Sequence, residues 1–168
     1  VATPHLGAAT TEAQENVALQ VADQISDYLL TGAVTNALNT PSISAEEAPR
    51  LKPYADLAEK LGLFAGQIAD GGFTDIEIGF EGEPAQLNTK PLTAAAVAGA
   101  LRPIMNDVNM VSAPEVLKAN GVTLTEATRA DSPVYDNLIR IRVKVAGAWR
   151  DVAGSIVAGV PRIVEVKG

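Results

Sequence analysis

A single histidine, His5, stands in the 168-residue chain, inside the stretch Val1-Ala2-Thr3-Pro4-His5-Leu6-Gly7-Ala8-Ala9-Thr10-Thr11-Glu12-Ala13-Gln14. A free imidazole titrates near neutral pH, so it can give or take a proton as a general acid or base. An apolar run enters the stretch, a Pro-His turn occupies its middle, and a helix start follows. Thr11 reads as the N-cap, and Gln14 three residues on completes a capping-box pattern. His5 is thereby expected on a short loop between a strand end and a helix start, where side chains are held for chemistry more often than buried. No acid, base or nucleophile partner is visible nearby in sequence. On the residues alone two readings stand, a catalytic imidazole and a bystander in a terminal loop.

A second group is cationic. Arg140, Arg142 and Lys144 recur with period two in a segment whose alternate positions are Ile139, Ile141, Val143 and Val145. On a strand that spacing puts all three charges on one face, each roughly 7 Å from the next. Such a row can grip an anion, since the planar guanidinium meets phosphate with two hydrogen bonds. Arg150 and Arg162 on the following strands could extend it. The competing reading is a solvated outer face, or pairing with the acidic stripe Asp75 and Glu77 of a neighbouring strand. A third group, Glu46, Glu47, Glu81 and Glu83, has no His or Cys beside it and no metal-ligand spacing; it reads as solvated surface, and no metal is expected.

The elements that would position these groups follow from periodicity. Val17, Ala18, Val21, Ala22, Ile25, Tyr28 and Leu29 predict a helix over residues 11–30 with Gly32 as its stop. Residues 33–44, with Asn36, Asn39, Pro41 and two serines, read as a hinge or domain boundary. A second helix is expected over residues 49–69, with Leu51, Tyr54, Leu57, Leu61, Phe64, Ala65 and Ile68 as its buried stripe; Pro49 and Pro53 belong in or before its first turn. Asp70-Gly71-Gly72 ends it. Residues 73–81 alternate as a half-buried strand, with Thr74, Ile76, Ile78 and Phe80 on one face and Asp75, Glu77 and Glu81 on the other. An alanine-rich helix over 92–101 and a short one opening at Ser112-Ala113-Pro114-Glu115 and stopping at Asn120-Gly121 follow. Strands are expected over 122–128, 137–145, 149–158 and 162–167, with turns at Ala146-Gly147-Ala148 and Gly159-Val160-Pro161. Hairpin-spaced strands after helices imply an α+β fold with an antiparallel sheet covered by helices.

The bulk numbers bound the rest. The chain is long enough for one sizeable core plus an appended piece. Hydrophobic residues make up 47% and charged residues 20%, the balance of a globular chain. The net charge of −7 argues against nucleic acid as a partner. With no cysteine, disulfides, thiolate catalysis and Cys-based metal sites are excluded. No apolar run approaches the roughly 20 residues that span a bilayer. Neither a Gly-x-Gly-x-x-Gly nor a Walker phosphate loop is present. Because the chain begins with Val in the middle of a motif, it reads as a fragment of a longer protein.

Thr3-Pro4-His5-Leu6-Gly7-Ala8-Ala9-Thr10-Thr11-Glu12-Ala13-Gln14-Glu15-Asn16 closely resembles the segment that carries the catalytic histidine in the D-2-hydroxyacid dehydrogenase superfamily. Gly32-Ala33-Val34-Thr35-Asn36-Ala37-Leu38-Asn39, with Leu51-Lys52-Pro53-Tyr54 and Leu57-Ala58-Glu59-Lys60-Leu61-Gly62, resembles the long-form D-3-phosphoglycerate dehydrogenases. The resemblance covers essentially the whole chain. It implies residues 1–44 as the C-terminal end of a dehydrogenase core (histidine loop, long helix, hinge) and residues 45–168 as an α+β intervening domain. It further implies His5 as the catalytic histidine, acting with a carboxylate and an arginine that lie upstream, outside these residues. Gly7 matches a small residue whose backbone lies near the nicotinamide of NAD. Ala9 stands where a serine is common, so a hydroxyl is missing there.

For the parent the resemblance implies NAD-dependent oxidation of 3-phosphoglycerate to 3-phosphohydroxypyruvate in L-serine biosynthesis, a cytoplasmic location and a homo-oligomer, a tetramer. The fragment alone is expected to be inactive, serving as a regulatory or oligomerisation module. Arg140, Arg142 and Lys144 are its candidate site for a small anionic substrate or effector. The alternatives are a stand-alone anion-binding regulatory domain, or another D-2-hydroxyacid dehydrogenase.

Overall fold

A computed structural model describes residues 7–167. The chain divides into two compact units, Val1–Pro49 and Arg50–Gly168.

The first unit is built on helix α1, Thr11–Thr31. Its N-cap is Thr10, one residue earlier than the capping-box pattern suggests. Thr10 has the extended backbone a cap needs, and its hydroxyl accepts from the Ala13 N–H at 3.2 Å. The Gln14 amide turns instead to the Ala8 carbonyl. Gly32 ends the helix as read, in the left-handed conformation with φ of 80°. No residue of α1 is buried; Ile25, Tyr28 and Leu29 are all more than half exposed. After α1 the chain folds back through a bridge between Val34 and Ile43, and Ser44 and Glu47 then exchange side-chain and backbone hydrogen bonds.

The second unit carries the sheet, and α2 (Ala48–Ile68), whose first two residues close the first unit, leads into it. Beyond α2 the unit's elements are β1 (Asp75–Gly82), a 3-10 turn (Glu83–Gln86), α3 (Thr89–Leu101), α4 (Ala113–Ala119), β2 (Thr123–Arg129), β3 (Asn137–Val145), β4 (Ala148–Val157) and β5 (Val160–Lys167). The α+β class holds. The strand order is β2-β1-β3-β4-β5. β3, β4 and β5 form the expected hairpin meander, and β1 pairs antiparallel with β3. β2 lies parallel to β1 on its far side. α3 and α4 stand between β1 and β2 and make the connection long enough for the crossover that a parallel pair requires.

The core forms between one sheet face and the helices. Ile76, Ile78 and Phe80 of β1, Ile139, Ile141 and Val143 of β3 and Val152 of β4 are wholly buried. α3 is buried from Pro91 to Leu101 without a break, so it is covered on every side. Small residues make this possible. A Cβ on Gly62 of α2 would fall on the Ala96 carbonyl oxygen of α3, and one on Gly66 would fall on that of Ala100. Gly99 of α3 meets the Glu59 carbonyl in the same way. The two helices therefore touch through backbone, with Ala58, Gly62, Ala65 and Gly66 in the contact face, while Phe64 and Ile68 of the expected stripe are only half-buried. Leu57 and Leu61 of α2 reach Gly154 of β4, where β5 bulges past Val164. Pro53 falls in the second turn of α2, beyond the first-turn limit expected for it, and its ring leaves the Pro49 carbonyl without its helical donor.

Candidate functional site

The cationic residues lie together on the sheet face opposite the helices. The register of β1, β3 and β4 explains how. Alternation buries Ile139, Ile141 and Val143 and turns Arg140, Arg142 and Lys144 outward. The antiparallel register then sets Glu77 opposite Arg142 and Asp75 opposite Lys144 on β1, and Asp151 opposite Arg142 and Trp149 opposite Lys144 on β4.

Each of the three cations has a carboxylate partner. Arg142 donates through Nη1 to Glu77 at 2.7 Å and through Nε to Asp151 at 3.1 Å. Lys144 Nζ lies 3.9 Å from Asp75. Arg140 donates to Glu165 of β5 at 2.7 Å, and Lys167 joins the same carboxylate. The Trp149 ring covers the other side of the group, with the Arg142 guanidinium 4.8 Å and the Lys144 ammonium 5.7 Å from its centroid, cation–π distances. Hydrogen bonding to Asp151 raises the Arg142 pKa above its ordinary value. Hydrogen bonds from Arg140 and then Lys167 hold the Glu165 carboxyl down at about 2. Arg150 is separated from the stripe: it stands opposite Val143, a helix-side residue. Arg162 is opposite Ser155 and has no carboxylate partner among the described residues.

His5 lies outside the described residues. Gly7 is described: it is exposed in the turn before α1, with no heavy atom of the described residues within 4 Å of where a Cβ would stand.

The acidic group divides. Glu47 belongs to the Ser44 turn, Glu81 lies 3.9 Å from Arg129, and Glu83 is the centre of a cluster that sequence reasoning missed. The buried Tyr54 of α2 donates its hydroxyl to Glu83 at 2.8 Å, and Arg50 lies 3.5 Å from the other carboxylate oxygen. Burial, then the Glu83 carboxylate, pushes the Tyr54 phenol well above its ordinary pKa. No local signal links Tyr54 to a glutamate 29 positions away; only the α2 stripe marks Tyr54 at all. Beside Glu83 opens a cleft of about 360 Å³, lined by Gly82, Gln86, Asp131, Ser132, Tyr135 and Asp136 among others. Three carboxylates in that lining disfavour an anionic ligand. Among the described residues, no group of three acidic or imidazole side chains is arranged to hold a metal ion.

Residues 50–167 match the family described as D-3-phosphoglycerate dehydrogenase intervening domain. The whole chain is 35% identical to a D-3-phosphoglycerate dehydrogenase of Bacillus subtilis, covering 32% of that protein, and 34% identical to one of Methanocaldococcus jannaschii, again covering 32%. The D-3-phosphoglycerate dehydrogenase 2, chloroplastic, of Arabidopsis thaliana is 33% identical over 98% of this chain and 29% of its own length. The chain thus spans about a third of the length of the curated relatives it matches. With a match over more than half of its residues, the chain belongs to the family of D-3-phosphoglycerate dehydrogenase intervening domains.

Proposed function

We propose that this chain is part of an NAD-dependent dehydrogenase that oxidises 3-phosphoglycerate to 3-phosphohydroxypyruvate, the first step toward L-serine. The carrying observation is the similarity over its full length to D-3-phosphoglycerate dehydrogenases, with residues 50–167 matching their intervening domain. In this reading residues 1–44 close the catalytic core and residues 45–168 form the intervening domain. The parent is a cytoplasmic homo-oligomer, a tetramer. No helix among the described residues is long and apolar enough to cross a membrane.

Within that reading His5 is the general base. Its imidazole takes the proton from the substrate hydroxyl during oxidation and returns it in reverse. NAD, when bound, supplies the hydride acceptor. Among the described residues none stands within 4 Å of a Cβ at Gly7, so none of them blocks the approach of a flat ring to the backbone there. The chain holds no Gly-rich dinucleotide loop, so the main cofactor contacts belong to residues outside it. The test is kinetic. His5→Ala in the full-length parent lowers kcat about a hundredfold or more; a change under about threefold would make His5 a bystander. The chain alone oxidises no 3-phosphoglycerate with NAD, since it lacks a preorganised site.

A second reading is regulatory: Arg140, Arg142 and Lys144 bind a small anionic substrate or effector. Their common face supports it. An incoming phosphate has to displace Glu77, Asp151, Asp75 or Glu165 from these cations, which keeps affinity weak, about millimolar or 4 kcal/mol. Calorimetric titration of wild type and the Arg140→Ala, Arg142→Ala double variant with 3-phosphoglycerate decides. Equal binding by both places the anion elsewhere.

A further inference from the structure

The two edges of the sheet are unlike. β5 carries the devices that discourage strand addition: Pro161, a bulge at Val164 and a terminal Lys167. β2 has neither a proline nor a bulge. Its seven residues pair with β1 in unbroken register from Thr123 to Arg129, and every one is exposed. The Thr123 N–H donates to Thr74 next to β1, so by alternation Thr125, Ala127 and Arg129 also face β1. The N–H and C=O groups of Leu124, Glu126 and Thr128 then point away from the sheet, a free row ready for another strand.

We propose that β2 pairs antiparallel with β2 of a second copy of this chain, about a two-fold axis at Ala127, so that two sheets become one. The side chains select both the occupant and the register. An axis at Glu126 sets two Glu126 carboxylates face to face, a destabilising like-charge pair. An axis at Thr125 sets Leu124 opposite a carboxylate. With the axis at Ala127, the small side chains meet at the centre, each Glu126 lies opposite a Thr128 hydroxyl of the other copy, and each Arg129 lies opposite a Thr125. Glu126 and Thr128 are both in the outward row, so these opposed residues exchange their backbone bonds. Glu126 is already oriented by α3: it accepts from Thr89 at 2.6 Å and from Thr93. The contact is isologous, as a closed dimer requires. It goes beyond the enzymatic reading and does not depend on it.

The absence of cysteine makes the geometry directly testable. At a non-hydrogen-bonded antiparallel pair on the axis the two Cα atoms lie about 4.5 Å apart, within disulfide range. Ala127→Cys in this chain, oxidised at micromolar concentration, forms a disulfide-linked dimer at least about tenfold faster than Ala148→Cys, an exposed position at the start of β4. Thr128→Pro removes an outward N–H while sparing the bonds to β1, and weakens self-association about tenfold or more in sedimentation. If Thr128→Pro proves unfolded by circular dichroism, the cysteine comparison decides alone. The proposal is overturned if Ala127→Cys links no faster than Ala148→Cys, if the folded proline variant associates like wild type, or if wild type stays monomeric up to millimolar concentration. Ala127 linking slowly in a protein that does dimerise also overturns it, because the interface then lies elsewhere.

Discussion

Gly62 of α2 and Ala96 of α3 meet without a side chain between them: a Cβ at position 62 would overlap the Ala96 carbonyl oxygen, and would also come within 3.0 Å of the Ala100 nitrogen. The obstacle is helix backbone, which cannot swing aside like a flexible side chain. Gly62→Ala gains about 1 kcal/mol of helix propensity yet must separate two packed helices. The expected net loss is about 2 kcal/mol or more, with Gly66→Ala and Gly99→Ala similar, because overpacking a filled core forces backbone shifts. Gly7→Ala, with nothing near it, should change stability by less than about 0.5 kcal/mol. Urea unfolding midpoints measure both. Equal small effects at Gly62 and Gly7 would mean the helices are not in backbone contact.

That contact also shows what the sequence did and did not make legible. Strictly periodic segments were readable: β3 spans the residues its alternation predicts, and Ile76, Ile78 and Phe80 are buried on the face assigned to them. Period-two spacing likewise put Arg140, Arg142 and Lys144 on one face, and the acidic alternation of β1 pointed to Asp75 and Glu77. Asp151 and Glu165 escaped notice because neither sits in an acidic stripe; only strand register brings them to the arginines. The parallel placement of β2 is a non-local choice that no local pattern encodes. The small residues of the α3 segment, Gly99 among them, suit close helix packing, but Gly62 and Gly66 of α2 look like helix-weakening residues in sequence, and their value is visible only when α2 and α3 cross.

Glu165 makes stability depend on acid. Its carboxyl is held at about 2, against 4.5 for an unconstrained glutamate, first by the hydrogen bond from Arg140 and then by that from Lys167. A depressed folded-state pKa means that the stabilisation is fully present above the unfolded value. It is lost as the pH falls from about 4.5 through 2. Lys167 is well exposed, so solvent screening reduces the benefit to about 1 kcal/mol or less. Glu165→Gln should therefore destabilise the chain by that amount at pH 7, and the gap should close as unfolding is measured toward pH 2. A gap that stays constant over this range would assign the cost to packing and not to charge.

The two hairpin turns store strain that can be relieved. Ala146 and Ala158 both have left-handed backbones, with φ of 49° and 50°, each followed by a glycine that shares the conformation. Two positive φ values in a two-residue loop are the type I′ geometry that suits the strand twist, and Asn-Gly is its preferred sequence. Ala pays for its Cβ at the first position, whereas Asn tolerates it. Ala146→Asn and Ala158→Asn should each stabilise by about 0.5–1 kcal/mol, seen as a higher melting temperature with an unchanged unfolding slope. Ala148→Asn, just past the first turn, serves as the control and should bring no such gain.

The cationic stripe is held by its own acids, and this makes its anion affinity adjustable. Arg142 is shared between Glu77 and Asp151, and Trp149 covers it from the side. Replacing both carboxylates, as Glu77→Gln with Asp151→Asn, keeps the shapes and removes two negative charges from the surroundings of Arg142. Phosphate then meets a guanidinium that no longer has to exchange one anion for another. Trp149 is the only tryptophan in the chain, so its fluorescence reports this site alone. Titration with inorganic phosphate should perturb Trp149 emission in the double variant at a concentration at least about fivefold lower than in wild type, a gain of about 1 kcal/mol. Adding Arg142→Ala to the same background should abolish the response, since the donor itself is gone. Superimposable curves for wild type and the double variant would show that Glu77 and Asp151 do not compete with anions for Arg142, and no Trp149 response in either would mean that the stripe is no anion site.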